Sequence, residues 1–358
     1  MKQIVNKWLG RYFGNEEAVL LAVMLLVFMF LLATVGTFLG PFFAALIIAF
    51  LLQGLVNGLN RLGVSFKLSV VITFVLFLLG LIAILVGLIP IVGRQMSLLL
   101  GEIPNMIGRS QLFIAELPER YSDYVTEAQF QLIGTRLSGE IANVAEQVIT
   151  FFLSSFPSLF AVAIYLLLVP VLVFFMLSDR AKLIEFVGGL LPANRPVMST
   201  IMTEMNIQFA NYVRGKAIEI LIVGALSFSA FLIMGLNYAA LLALLVGLSV
   251  LIPYIGATVV TLPVLLIGFM QWGYSPDFFW LFVVYGAIQF FDGNVLVPLL
   301  FSEVVNLHPI AIIMAVLLFG GIWGFWGVFF AIPLATLVKA VFNAWPDEAY
   351  MILDDSAK

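Results

Sequence analysis

A series of long apolar runs constrains this chain more than any other feature. They fall at Ala18–Phe38, Pro41–Leu59, Leu68–Val92, Val148–Leu177, Ala217–Leu236, Tyr238–Met270, Phe278–Leu300 and Pro309–Phe342. A helix needs about 20 apolar residues to cross the hydrocarbon core of a bilayer. Each run meets or approaches that length. Only 10% of the 358 residues are charged and 63% are hydrophobic, whereas a soluble domain carries about a quarter charged residues. The surplus apolar surface needs lipid. The expected fold is therefore all-α, a polytopic membrane helix bundle of about eight membrane segments.

Breaks and charges suggest how the chain is divided. Residues 1–92 hold three spans. The first run is longer than the apolar region of a secretory signal, about 7–15 residues, and flows straight into the second, so it reads as an uncleaved span. Residues 93–147 are polar and acidic. There Ile133, Leu137, Ile141, Val144 and Val148 form one stripe of an amphipathic helix outside the membrane. Pro104 and Pro118 are expected to break the earlier part of this segment. Residues 148–177 form the fourth span. Residues 178–216 are basic, with a second stripe at Met198, Ile201, Met202, Met205, Phe209 and Tyr212. Both stripes suit packing against the bundle or lying among lipid headgroups. Residues 217–345 form the last bundle, and 346–358 an acidic tail.

Lys and Arg in short flanks orient the spans. Lys2, Lys7 and Arg11 place the N-terminus in the cytoplasm, and Arg61 and Lys67 agree two spans later. The acidic 93–147 segment then falls outside and the basic 178–216 segment inside. The expected location is a membrane that the chain crosses several times. Counting parity puts the C-terminus in the cytoplasm too, whether the sixth and eighth runs both cross or both re-enter.

Several function classes find no support. There is no cysteine and one histidine, so neither a metal nor another cofactor is expected. Lipase-type G-x-S-x-G, zincin H-E-x-x-H and phosphate-loop patterns are absent. The net charge of −4 has no dense basic stripe to suit nucleic acid. The expected partners are the lipid bilayer and a small solute or ion.

The sixth and eighth runs exceed 30 residues and are interrupted, the sixth by Pro253, Gly256 and Pro263, the eighth by Gly320, Gly321, Gly324, Gly327 and Pro333. Irregular backbone at membrane depth is tolerated only where protein buries it or a cavity borders it. Paired interruptions point to a transporter binding site; close helix packing is the plainer explanation. Asp292 lies near the middle of the seventh run. A carboxylate there costs roughly 2.5–3.5 kcal/mol on insertion scales, which makes it a candidate coupling or ligand group. A structural hydrogen bond between helices is the alternative. Gln289 and Asn294 lie close enough in sequence to complete a polar site. Glu219, beside Arg214 and Lys216, reads as a locally paired or snorkelling side chain, and His308 as a loop residue.

The same residues resemble a known group. The pieces are Phe174-Phe175-Met176-Leu177-Ser178-Asp179-Arg180 with Leu190-Leu191-Pro192, and Tyr212-Val213-Arg214-Gly215. Then come Ile252-Pro253-Tyr254-Ile255-Gly256-Ala257 with Pro263, and Gln289-Phe290-Phe291-Asp292-Gly293-Asn294 with Pro298. Leu307-His308-Pro309 follows, with Gly320, Gly324, Gly327 and Pro333. In order and spacing the chain resembles the bacterial autoinducer-2 exporter family. The resemblance implies a multi-span inner-membrane permease that exports a signalling molecule or exchanges sodium for protons, and it admits a homo-oligomer. Two residues depart from the family pattern: Asp292 stands where Glu is frequent, and Lys216 where a neutral amide is common. The expectation is an ion-coupled secondary transporter, with a passive channel or a membrane scaffold as alternatives.

Overall fold

The computed structural model describes residues 16–36, 38–121, 139, 159–189, 191, 195–301 and 307–344. The 133–148 stripe, the basic N-terminus, Pro192 and the acidic tail lie outside them. Among the described residues the fold is helical throughout. Helices α1 (Glu16–Val35), α2 (Gly40–Arg61), α3 (Phe66–Ala83) and α4 (Ile89–Tyr121) come first. Next are α5 (Leu159–Ser178), α6 (Arg180–Gly189), α7 (Pro196–Ile233), α8 (Ala239–Ser249) and α9 (Ile255–Trp272). The last are α10 (Pro276–Phe291), α11 (Val297–Phe301), α12 (Pro309–Phe329) and α13 (Ala331–Ala344). Seven helices among the described residues are long and apolar enough to cross a membrane. Their outer faces stay apolar: Val86, Leu167 and Leu221 are 72, 67 and 70% exposed. Water would not tolerate such a surface, and lipid does. The chain is a multi-pass membrane protein.

Helix α7 is the axis of the second half. Its 38 residues extend about 57 Å at 1.5 Å per residue, well beyond a hydrocarbon core of about 30 Å. It therefore carries the 198–212 stripe and the fifth apolar run as one unbroken helix, with no joint at 216/217. Pro196 starts it at the position where a missing N–H costs nothing. A Glu17 carboxylate oxygen accepts from Met198 N at 2.8 Å, so α1 caps the positive end of α7. Gly235, at φ 69°, closes the other end, with Leu236 N bonded to Phe231 O. Helices α1, α2, α8, α10, α11 and α13 all pack against α7.

Helix α4 runs through Pro104 and Pro118, contrary to the expected breaks. Each proline removes one backbone donor, which an exposed helix accommodates because water can meet the freed carbonyl. Two wide π turns, Ile84–Leu88 and Asp292–Leu296, interrupt otherwise regular helices. Each is followed two residues later by a proline, Pro90 and Pro298. A proline ring crowds the carbonyl four residues back, and a wider turn relieves that crowding.

Candidate functional site

The sixth and eighth runs are both helical hairpins, and each uses a positive-φ turn, a proline and a glycine, in a different order. Helix α8 ends at Ser249, and the turn continues with Leu251 N to Leu248 O and Ile252 N to Ser249 O. The next bond in that register would run from residue 253 to Val250 O. Residue 253 is proline and has no N–H. Tyr254 then turns the chain at φ 62°, a region a non-glycine residue seldom adopts. In the second hairpin, Gly324 turns the chain at φ 61° within α12. The bond expected at its end would run from residue 333 to Phe329 O, and residue 333 is again proline. Both hairpins thus leave a carbonyl without its backbone donor. Each then closes on a glycine. A Cβ on Gly256 would overlap the Ser249 carbonyl, and one on Gly327 the Phe319 carbonyl.

An orphaned carbonyl in an apolar interior must find a donor, and α7 supplies both. The Tyr212 hydroxyl donates to Phe329 O at 2.7 Å. One turn on, the Lys216 ammonium donates to Val250 O at 2.7 Å. Between them Gly215 is buried directly against the Phe301 ring. The two reversals meet here: Leu251, Phe301, Phe329, Phe330 and Ala331 share one apolar cluster with Tyr212 and Val213.

Lys216 brings charge into this junction. Its Nζ lies 2.8 Å from a Glu219 carboxylate oxygen and 5.2 Å from the centre of the Phe301 ring. Both side chains are nearly sealed, at 6 and 2% exposure. Asp292 opens the second π turn and is 9% exposed. It lies within electrostatic reach of Lys216 and of Glu219. Its Oδ1 is buried without a hydrogen-bond partner. The π turn that carries Asp292 packs on α7, so one ammonium and two carboxylates share this junction, and the Asp292 Oδ1 is unengaged.

The other sequence candidates divide. Gln289, one turn before Asp292, hydrogen-bonds Tyr285, whose hydroxyl also lies 3.0 Å from Thr261 Oγ1 on α9. Asn294 is exposed, and its amide donates to Phe290 O of its own helix at 2.9 Å. Helix α9 continues through Pro263, and α12 through Gly320. No break occurs at either: one backbone bond lost at Pro263 does not by itself reverse a packed helix, and Gly320 keeps its N–H and helical φ/ψ. Pro298 sits in α11 just after the π turn. Asp179 pairs with Lys182 at 2.9 Å on the surface, where Arg180 begins α6. The Arg214 guanidinium lies 5.3 Å from the centre of the Phe50 ring. His308 is the N-cap of α12, its Nδ1 accepting from Ile310 N at 3.3 Å, and Pro309 is the first helical residue.

The sequence reading took Glu219 as locally paired or snorkelling beside Arg214 and Lys216; the pair with Lys216 forms, but it is buried rather than snorkelling. A signal was available. The stripe through Tyr212 continues at spacings of four, three, four, four and four through Lys216, Glu219, Val223, Ser227 and Phe231, all buried.

The family profile for AI-2E family transporters matches residues 19–347. The chain belongs to this transporter family. It is 41% identical over 347 residues to a protein of Escherichia coli strain K12 named "Putative permease PerM", covering 97% of this chain and 98% of that one. It is 28% identical over 286 residues to "Putative transport protein YueF" of Bacillus subtilis strain 168, covering 77 and 75%. A "Putative transport protein" of Thermotoga maritima is 26% identical over 277 residues, covering 77 and 79%. The chain is accordingly a membrane transporter.

Proposed function

We propose that the chain is a secondary transporter of the bacterial inner membrane, with both termini in the cytoplasm. It moves a small solute or ion at the expense of a proton or sodium gradient, and it performs no catalysis. The observation that carries this reading is the unengaged, buried Oδ1 of Asp292 at a junction of two reversed helices. An ionisable group at membrane depth is costly. It is retained where its charge is used, and a free oxygen can take up a proton or a cation and release it. The two hairpins supply the irregular backbone from which transporter sites are built. In this cycle Asp292 is the coupling carboxylate, and Gln289 orders the polar wall through Tyr285 and Thr261.

Flux in proteoliposomes tests the reading. The reconstituted protein is screened for solute and ion uptake under an imposed proton or sodium gradient, alongside the Asp292→Asn variant. Gradient-driven flux that the variant loses supports the assignment. Flux that is unchanged and still ion-coupled in Asp292→Asn overturns it. Flux that ignores both imposed gradients indicates a passive channel.

A further inference from the structure

The ammonium of Lys216 joins two features that are otherwise separate, the carboxylates and the turn between α8 and α9. It is ion-paired with Glu219, on its own helix, at 2.8 Å and donates to the Val250 carbonyl at 2.7 Å, at the reversal. Its Nζ also lies 5.2 Å from the centre of the Phe301 ring. Helices α8, α9 and α11 bring no ionisable side chain to this junction, whereas the other elements packed on α7 carry Glu17 (α1), Arg61 (α2), Asp277 and Tyr285 (α10) and Lys339 (α13), and α7 itself carries Tyr212 and Arg214. Asp292, whose Oδ1 is unengaged, is the carboxylate here whose charge state can redirect this ammonium without first breaking the Lys216–Glu219 pair.

We propose that Lys216 is a positioning residue that couples the loading of Asp292 to the closure of the α8–α9 reversal; this rests on the transport reading of Asp292. When Asp292 carries a proton or a cation, it exerts little pull. The ammonium then stays on Glu219 and on Val250 O, and the reversal is latched. When Asp292 is empty and ionised, it competes for the ammonium. A bond spent on Asp292 is withdrawn from Val250 O, which has no other donor because residue 253 is proline. The reversal is then free to open. The corresponding tie in the second hairpin, Tyr212 to Phe329 O, is made by a neutral hydroxyl and does not respond in this way.

The chain has no native cysteine, so labels can be placed singly. Spin labels at Thr258→Cys on α9 and Leu221→Cys on α7, both exposed, report the distance between hairpin and axis by pulsed electron paramagnetic resonance in reconstituted, full-length protein. Asp292→Asn serves as a permanently neutral carboxylate. The expected result is a narrower distance distribution on introducing Asp292→Asn into the Lys216 protein. The same substitution should leave the distribution unchanged in a Lys216→Gln/Glu219→Gln background. That pair is removed together so that no buried charge is left alone. A Lys216→Arg background, which keeps charge and donors, should restore the response. An equal response with and without the Lys216–Glu219 pair overturns the proposal, as does no response in the Lys216 protein. If Asp292→Asn leaves coupled flux intact while the distance response persists, the transport reading fails and the latch stands. Lost flux without a distance response gives the reverse.

Discussion

In the α8–α9 hairpin the orphaned carbonyl of Val250 is met by a buried ammonium; in the α12–α13 hairpin the orphaned carbonyl of Phe329 is met by a buried phenol. The problem is the same in both. A proline stands where the next N–H belongs, and a glycine lets the chain close against backbone. The solutions differ in cost. Tyr212 brings one neutral donor and asks for nothing else. Lys216 brings a charge, which needs Glu219 to balance it, and desolvating an ion pair is expensive. A second tyrosine would have served a purely structural need. The difference therefore separates a fixed tie from one that can answer to charge, and the charged tie lies beside Asp292.

The largest effect that would test this comparison is expected from Lys216→Met. It removes the donor to Val250 O and strands Glu219 as an unpaired buried carboxylate. Breaking a buried pair from one side costs about 3–5 kcal/mol. Unfolding by detergent titration in mixed micelles should register a loss of that order. Lys216→Met/Glu219→Gln should recover most of it. Little recovery would mean that the carbonyl, rather than the carboxylate, dominates.

Gly256→Ala and Gly327→Ala come next. Each added Cβ would overlap a backbone carbonyl oxygen of the facing helix. Backbone cannot step aside as a side chain can, so each should cost about 1–3 kcal/mol in the same titration. Equal losses support two equivalent reversals. A tolerated Gly256→Ala with a damaging Gly327→Ala would show that the first reversal is already loose.

Smaller and sharper is the pair Tyr212→Phe and Pro333→Ala. Tyr212→Phe keeps the ring and leaves Phe329 O unpaired, at a cost of about 1–2 kcal/mol. Pro333→Ala restores an N–H four residues after Phe329. In that background the cost of Tyr212→Phe should fall below roughly 0.5 kcal/mol, so the two changes are strongly non-additive. Additive losses would mean that the proline is not the reason the hydroxyl is needed.

These residues also mark how far the sequence could be read. Hydropathy located the helices because each lipid-facing run announces its own length. Asp292 was legible because an ionisable group in an apolar run needs a reason wherever it points. The burial of Lys216 and Glu219 was not, because the fifth run was drawn from Ala217 and a paired charge at a span boundary can simply reach for water. Their burial is set by α8, α11 and the π turn, which close over α7 from distant parts of the chain. Pro263 and Gly320 looked like breaks by composition alone, whereas the reversals occur at residues 250–254 and at Gly324, each marked by a positive φ.

Asn294 gives the smallest expected effect and the cleanest contrast with Gln289. Sequence nearness put both beside Asp292. Helix geometry separates them: a residue three positions away shares a face, and one two positions away points elsewhere. Gln289 accordingly joins Tyr285 on the buried side, while Asn294 is exposed and bonds its own Phe290 carbonyl. Asn294→Ala should therefore change stability by less than about 0.5 kcal/mol, as exposed substitutions do, and should leave coupled flux in proteoliposomes intact. Gln289→Ala should lower that flux, because Tyr285 loses one of the two partners that hold it against Thr261. A flux defect in Asn294→Ala as large as that of Gln289→Ala would mean that the site extends across the π turn to the lipid-facing side, and that Asp292 is approached from there.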